Sequence, residues 1–71
     1  MKIIDVSEKY IYNQAHIKGS INIPYDELIN NYRHYLNKNE CYYLYCKSGK
    51  LSKRATMILS SLGYSVFNME K

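Results

Sequence analysis

The sequence predicts an α/β fold in which a parallel β-sheet is flanked by helices on both faces. Short apolar runs alternate with segments of helical periodicity, and this β-α-β rhythm is typical of parallel sheets. In addition, the polar loop from Cys46 to Ser52 joins an apolar run to a helical segment, as loops do at the carboxyl ends of parallel strands. A chain of 71 residues allows one domain, which we expect to occupy residues 1–71.

Two strands and two helical segments are predicted in the first half of the chain. The apolar run Ile3 to Val6 predicts a buried strand, and Glu8 to Gln14 predicts one or two helical turns. Gly19 permits a turn before a second short strand at Ser20 to Ile23, which Pro24 ends. A longer amphipathic helix should follow, because apolar side chains recur at helical spacing in Tyr25, Leu28, Ile29, Tyr32 and Leu36.

The second half begins with a polar loop at Asn37 to Glu40. The run Cys41 to Tyr45 then predicts a buried strand, in which we expect Cys41 to be a structural residue. Gly63 is placed to end the last helix, and Tyr64 to Asn68 predict the final strand. That helix should pack against the sheet through one apolar face, formed by Ala55, Ile58, Leu59 and Leu62.

The composition excludes several classes of protein. A hydrophobic fraction of 46% argues against disorder, and no apolar run is long enough for a transmembrane helix. The net charge of +4 favours small anionic ligands, but most basic residues are scattered and no nucleic-acid motif is present. We therefore expect neither a specific nucleic acid nor a membrane as a partner. Two cysteines without a secretory leader predict a reducing, cytoplasmic location.

Neither a disulfide nor a metal site is expected. Cys41 and Cys46 would bracket one strand and so lie roughly 16 Å apart at ~3.3 Å per residue, which is too far for a disulfide. The chain has no C-x-x-C pair, and His16 and His34 lack a ligand-like spacing to the thiols. We predict no cofactor.

Cys46 is the candidate catalytic residue. It should lie at the carboxyl end of a strand and beside a helix N-terminus, where backbone N–H groups and the helix dipole stabilise negative charge. A thiol in that place has a lowered pKa and is a nucleophile near neutral pH. A merely structural, buried cysteine would not need such polar neighbours. We predict that the loop binds the substrate through Lys47, Ser48, Gly49, Lys50, Leu51 and Ser52.

Asp5 and His16 each allow two interpretations. Asp5, at the end of a strand, could be a catalytic acid or base, or it could cap the next turn through a side-chain oxygen. His16 could act as a base for Cys46, as in Cys-His hydrolases, but a lone histidine is more often structural. We favour the structural role for His16.

Two separated blocks resemble the rhodanese-like sulfurtransferases. Residues 3–6, Ile-Ile-Asp-Val, with residues 15–24, Ala-His-Ile-Lys-Gly-Ser-Ile-Asn-Ile-Pro, are similar to the family pattern D-V-R … G-H-I-x-G-A-x-N-I-P. Residues 44–55 and 62–66 are similar to Y-C-x-S-G-x-R-S-x-x-A … L-x-x-x-G-Y-x-V. The chain departs from the family at Ser7 and Leu51, where Arg is frequent, and at Ala15, where Gly is common.

This resemblance implies a rhodanese-like fold in a compact or shortened version, because family members usually carry a strand before the position of Met1 and a helix after that of Lys71. It also implies an enzyme similar to thiosulfate sulfurtransferase. Cys46 would take a sulfane sulfur from a small anionic donor such as thiosulfate, hold it as a persulfide, and pass it to a thiol or cyanide acceptor. A protein is a further possible acceptor.

Two other functions stay open at this stage. A rhodanese-like module without catalysis could bind a partner or sense oxidants through Cys46. A phosphatase of the related Cys-loop type is less favoured, because its loop needs Arg after five intervening residues to grip phosphoryl oxygens. Ser52 occupies that position, and Arg54 lies two residues too late.

Overall fold

Four parallel strands form the centre of the molecule. The computed structural model describes residues 2–70. Its strands are β1 at Lys2–Asp5, β2 at Ile21–Asn22, β3 at Cys41–Tyr45 and β4 at Ser65–Asn68. They are ordered β2-β1-β3-β4, and every neighbouring pair is parallel. The predicted α/β class and parallel sheet are confirmed.

Four helices connect the strands. They are α1 at Lys9–Gln14, α2 at Tyr25–Asn30, α3 at Tyr32–Tyr35 and α4 at Lys50–Ser61. The step from β1 to β2 runs across the sheet in the opposite direction to the later steps. Right-handed crossovers therefore place α1 on one face and the other helices on the opposite face. Helices α2 and α4 are in contact, as this arrangement requires.

The amphipathic helix predicted from Tyr25 to Leu36 was wrong in one respect, because it is two helices. The chain leaves helical geometry at Asn31, where φ is −134° and ψ is 35°. Asparagine favours such breaks because its side chain competes for backbone groups. Here its Nδ2 donates a hydrogen bond to the carbonyl oxygen of Glu27 at 3.3 Å. Leu28 and Leu36 are nevertheless both buried, as their spacing indicated.

One face of the sheet carries the hydrophobic core. Tyr42 and Leu44 of β3 point to this face and are buried, and the apolar side of α4 covers them. Gly63 ends α4 as predicted, with φ at 96°. Its N–H donates to the carbonyl of Ser60, and the next N–H donates to that of Leu59, which is a Schellman ending. The remaining buried apolar residues in this cluster include Ile4, Leu28, Ala55 and Val66.

The expected burial of Cys41 was wrong, because this residue is exposed. It is the first residue of β3 and lies on the same face as Tyr43, which is only half-buried. On that face the neighbouring Phe67 is 49% exposed, and its ring lies 5.6 Å from that of Tyr43. The short helix α1 contributes no buried residue, so it leaves this part of the sheet open.

Within residues 2–70, no helix has the length and apolar character needed to cross a bilayer. The same part of the chain contains no group of three or more His, Cys, Asp or Glu side chains that could hold a metal ion.

Candidate active site

Cys46 is the first residue after β3 and begins a tight loop that ends at α4. The N–H of Gly49 donates to the carbonyl of Cys46 at 3.2 Å, which closes the loop. Gly49 has φ at 81° and directly precedes the helix. Residues with a side chain rarely adopt this conformation, so glycine allows the sharp entry into α4. The loop thereby brings the first turn of the helix back over the sulfur.

Three groups lie within hydrogen-bonding distance of Cys46 Sγ. The backbone N–H of Ser52 donates to it at 3.4 Å, and the hydroxyls of Ser52 and Ser48 lie 3.6 Å and 3.9 Å away. The Ser52 hydroxyl donates to the carbonyl of Gly49 at 3.2 Å, so the neutral thiol must donate to Ser52 Oγ. When the thiol ionises, the Ser52 hydroxyl can turn its proton towards the sulfur. The serine is fully buried, which holds it in place.

The local environment lowers the pKa of the Cys46 thiol below its usual value. Burial is the largest single influence and raises this pKa, because it disfavours the charged form. Hydrogen bonds from the Ser52 hydroxyl and N–H, the Ser48 hydroxyl and the Gly49 N–H together outweigh it. The lowering therefore comes from the loop and the start of α4, which supply donors to the thiolate.

Cys46 forms part of the wall of a cavity of about 370 Å³. The residue is only 5% exposed, so the sulfur is reached through this cavity. Of the predicted substrate-binding residues, Lys47, Ser48, Gly49 and Lys50 line it. The other two lie elsewhere, since the Leu51 side chain packs against the core and Ser52 is buried behind the sulfur.

Four residues beyond the predicted substrate-binding set line this cavity: Lys53, Asn68, Met69 and Glu70. Lys53 lies one helical turn after Lys50, so the helical spacing could have indicated it. The other three follow from strand order, because β4 ends beside β3, and the N–H of Met69 donates to the carbonyl of Leu44 at 2.8 Å. Three lysines and one acidic residue thus line the cavity, so its lining has a net positive charge.

The structure separates the two roles considered for Asp5 and for His16. Asp5 Oδ1 accepts a hydrogen bond from the N–H of Ser7 at 2.8 Å, so the side chain caps the turn after β1. His16 stacks on Tyr12 with the ring centroids 3.8 Å apart, and its Nδ1 donates to the carbonyl of Tyr12 at 2.8 Å. No hydrogen bond joins His16 to Cys46 in the described part of the chain. Its position is that of a structural residue.

Replacement of Ser52 by alanine should raise the pKa of Cys46, because one donor to the thiolate is lost while burial remains. The pH at which the rate of Cys46 alkylation by iodoacetamide rises should therefore be higher in Ser52→Ala than in its parent. At mildly acidic pH, alkylation of the variant should be several-fold slower than that of the parent. The measurement uses a Cys41→Ser background, so that only Cys46 reacts. Ser60→Ala, at the exposed end of the same helix, is the matched control. Superimposable pH profiles for Ser52→Ala and its parent would contradict this account.

Comparison with known families shows that residues 1–71 match the Rhodanese-like domain. Thiosulfate sulfurtransferase PspE of Escherichia coli (strain K12) is 38% identical over 63 residues, which cover 87% of this chain and 61% of PspE. YrkF of Bacillus subtilis (strain 168), named as a candidate sulfur carrier protein, is 34% identical over 64 residues that cover 90% of this chain and 34% of YrkF. The chain thus spans less than two thirds of either relative.

The crystal structure of a rhodanese-related protein from Thermoplasma volcanium has the same fold. It matches with a TM-score of 0.87 and 32% identity, over 97% of this chain and 68% of that protein. The rhodanese-like fold inferred from the two sequence blocks is therefore confirmed. Because the family match covers residues 1–71, this chain belongs to the rhodanese-like domain family.

Proposed function

We propose that the protein is a sulfurtransferase that moves a sulfane sulfur from an anionic donor such as thiosulfate to a thiophilic acceptor. The observation that carries the proposal is the Cys46 thiol, whose pKa is lowered and which borders a cavity lined by three lysines. A thiolate attacks sulfur, and the lysines favour a small anion. The similarity to PspE, named a thiosulfate sulfurtransferase, supports the same reaction.

The reaction has two displacement steps, each at sulfur. The Cys46 thiolate attacks the outer sulfur of thiosulfate, the S–S bond of the donor breaks, and sulfite leaves with the electron pair. Cys46 now carries a persulfide. An acceptor thiolate or cyanide then attacks the terminal sulfur, and the Cys46 thiolate leaves with the electron pair of the broken bond. The covalent intermediate divides one difficult transfer into two easier ones.

The loop residues act on charge and position in this proposal. Lys47 and Lys50, with Lys53, attract the donor and its sulfite product, since all three line the cavity. Ser48 and Ser52 donate hydrogen bonds to the sulfur anion, and the positive φ of Gly49 shapes the loop around it. The backbone at Leu51 completes the loop, while its side chain anchors it to the core. These steps require no cofactor.

Residues 1–71 act as one rhodanese-like domain in this proposal. A reducing compartment such as the cytoplasm suits it, because Cys46 must be a free thiol between turnovers.

The direct test is the intact mass of the protein after incubation with excess thiosulfate and removal of the reagent. We expect a gain of one sulfur atom, which dithiothreitol removes. The Cys41→Ser variant should gain the same mass, since Cys41 lies outside the cavity lining. No gain in either protein, measured with Cys46 still reduced, would contradict the proposal.

A binding or redox-sensing module without catalysis is the second candidate. The observation that favours it is that Leu51, at a position where the family often has Arg, packs against the core. The loop therefore has no guanidinium there that could bind an anionic donor through bidentate hydrogen bonds. The low pKa of Cys46 would then serve reversible oxidation to a sulfenic acid or a mixed disulfide.

A further inference from the structure

The solvent-facing side of helix α4 carries a row of basic residues next to the cavity of Cys46. Lys50, Lys53, Arg54 and Met57 follow one another at helical spacing and so lie on one face of the helix. All four are exposed, Met57 to 70%. These four residues form the α4 stripe. Because Lys50 and Lys53 also line the cavity, the stripe begins at the cavity that holds the sulfur.

The charges of the α4 stripe are placed unfavourably for the helix itself. Lys50 and Lys53 lie in the first turn, where the helix dipole disfavours cations, and that turn contains no acidic residue. Arg54 lies four residues after Lys50, and like charges at this spacing destabilise a helix. Among residues 2–70, no carboxylate lies within ion-pair distance of any of the three cations. The stripe therefore presents positive charge that the described chain does not neutralise.

Arg54 extends this charge beyond the site of a small anionic donor. It does not line the cavity beside Cys46, whereas Lys50 and Lys53 do. The rise of the helix from Lys50 to Met57 is about 10 Å, at 1.5 Å per residue. An anion that contacts the whole stripe must therefore be longer than thiosulfate. Three residues of extended peptide have this length at ~3.3 Å per residue.

The chemistry of sulfur transfer favours a protein segment over a nucleic acid on this surface. The group that discharges a persulfide is a thiol, which a cysteine side chain supplies and an unmodified nucleic acid lacks. The α4 stripe also has no aromatic side chain on which a base could stack. Aspartate and glutamate side chains would supply the missing negative charge, and Met57 offers an apolar contact that adapts to its partner.

We propose that the α4 stripe is the docking surface for an acidic segment of an acceptor protein, whose cysteine enters the cavity beside Cys46. The inference rests on the proposed sulfurtransferase function. Carboxylates next to that cysteine lie along Lys53 and Arg54. The acceptor cysteine loses its proton to solvent, and its thiolate attacks the terminal sulfur of the Cys46 persulfide. A new S–S bond forms on the partner, and the bond to Cys46 breaks with its electron pair returning to the Cys46 thiolate.

Two matched peptides test the inference. Each contains one cysteine, which is followed by three aspartates in the acidic peptide and by three asparagines in the neutral one. The persulfide is formed with thiosulfate, excess reagent is removed, and the rate constant for discharge is measured with each peptide. The ratio of the acidic to the neutral rate constant should fall as sodium chloride is raised to about 1 M, where the Debye length is ~3 Å.

Arg54→Glu should lower this ratio at low salt about tenfold, because attraction is lost and repulsion is added. The fold should be retained, since glutamate is favoured near a helix N-terminus and can pair with Lys50. Arg33→Glu is the matched control, because it changes the net charge equally. Arg33 is exposed in α3, which leads to the start of β3, whereas Cys46 follows the end of that strand.

The ratio in Arg33→Glu should stay within about twofold of the parent, because the remote charge is screened at ionic strengths near 0.1 M. An unchanged ratio in Arg54→Glu, or equal falls in both variants, would overturn the docking surface. Either result, obtained with the persulfide still forming, would leave the sulfurtransferase proposal intact.

If no persulfide forms, the sulfurtransferase proposal fails, and direct binding decides the inference. The acidic peptide, made with serine in place of its cysteine, should shift the NMR amide resonances of Lys53 and Met57 in the parent. The shifts should be several-fold smaller in Arg54→Glu. No shift in the parent would overturn the docking surface. A uridine oligonucleotide that causes the same shifts at lower concentration than the peptide would overturn the choice of a protein partner.

Discussion

Cys46→Ser should reduce thiosulfate:cyanide sulfurtransferase activity to the uncatalysed rate, a fall of at least about a thousandfold. Serine keeps the size of the side chain, but its hydroxyl is a far weaker nucleophile at neutral pH and cannot hold the transferred sulfur. Thiocyanate formation measures the effect. Cys41→Ser is the matched control and should retain the parent activity, because Cys41 is exposed at the start of β3. Turnover that survives in Cys46→Ser would show that another group carries the sulfur.

The same two proteins separate the reaction classes. We expect no hydrolysis of an aryl phosphate by the parent protein, because a transferred phosphoryl group needs a guanidinium at the loop. Ser52 occupies that loop position, buried behind the sulfur, and Arg54 does not line the cavity that the described residues form. Phosphatase turnover that depends on Cys46 would overturn the sulfurtransferase proposal. If the parent protein shows neither sulfurtransferase nor phosphatase activity while Cys46 is readily alkylated, the binding or redox-sensing module would be favoured.

The elements closest to Cys46 were the most predictable from the sequence. The strand β3 has the predicted bounds, because a short apolar run between a polar loop and a glycine-containing loop leaves little choice. Helix α4 follows with Ala55 and Leu59 buried at the predicted helical spacing, and its end at Gly63 depends on a local backbone conformation. Leu62, predicted on the same apolar face, is 40% exposed and lies just beyond the helix. The placement of Cys46 between these two elements depended only on local signals.

The predictions that failed concern features that depend on contacts between residues far apart in the chain. Periodicity across Asn31 is satisfied equally by one helix or by two, so the break could not be read from spacing. The exposure of Cys41 depends on how much of the sheet α1 covers, which strand periodicity does not contain. Asn68 and Glu70 reach the cavity only because β4 pairs with β3, and strand order is a tertiary property.

The position of the site depends on one packing interface. The first turn of α4 supplies the Ser52 donors to Cys46 Sγ, while the same helix packs on β3 and β4 further along. Leu59 of α4 is fully buried in the hydrophobic core. A change there acts on the stability of the whole sheet and, through the orientation of α4, on the loop.

Leu59→Ala should lower the free energy of unfolding by about 2–5 kcal/mol, through lost apolar contact and the cavity left behind. The free energy of unfolding of a domain of this size is only a few kcal/mol, so a large fraction of the variant should be unfolded at room temperature. Urea unfolding followed by tyrosine fluorescence suits the chain, which has nine Tyr and no Trp. Met57→Ala, on the same helix but 70% exposed, should change the free energy by no more than about 0.5 kcal/mol. Equal effects from the two variants would show that Leu59 does not anchor α4 to the sheet.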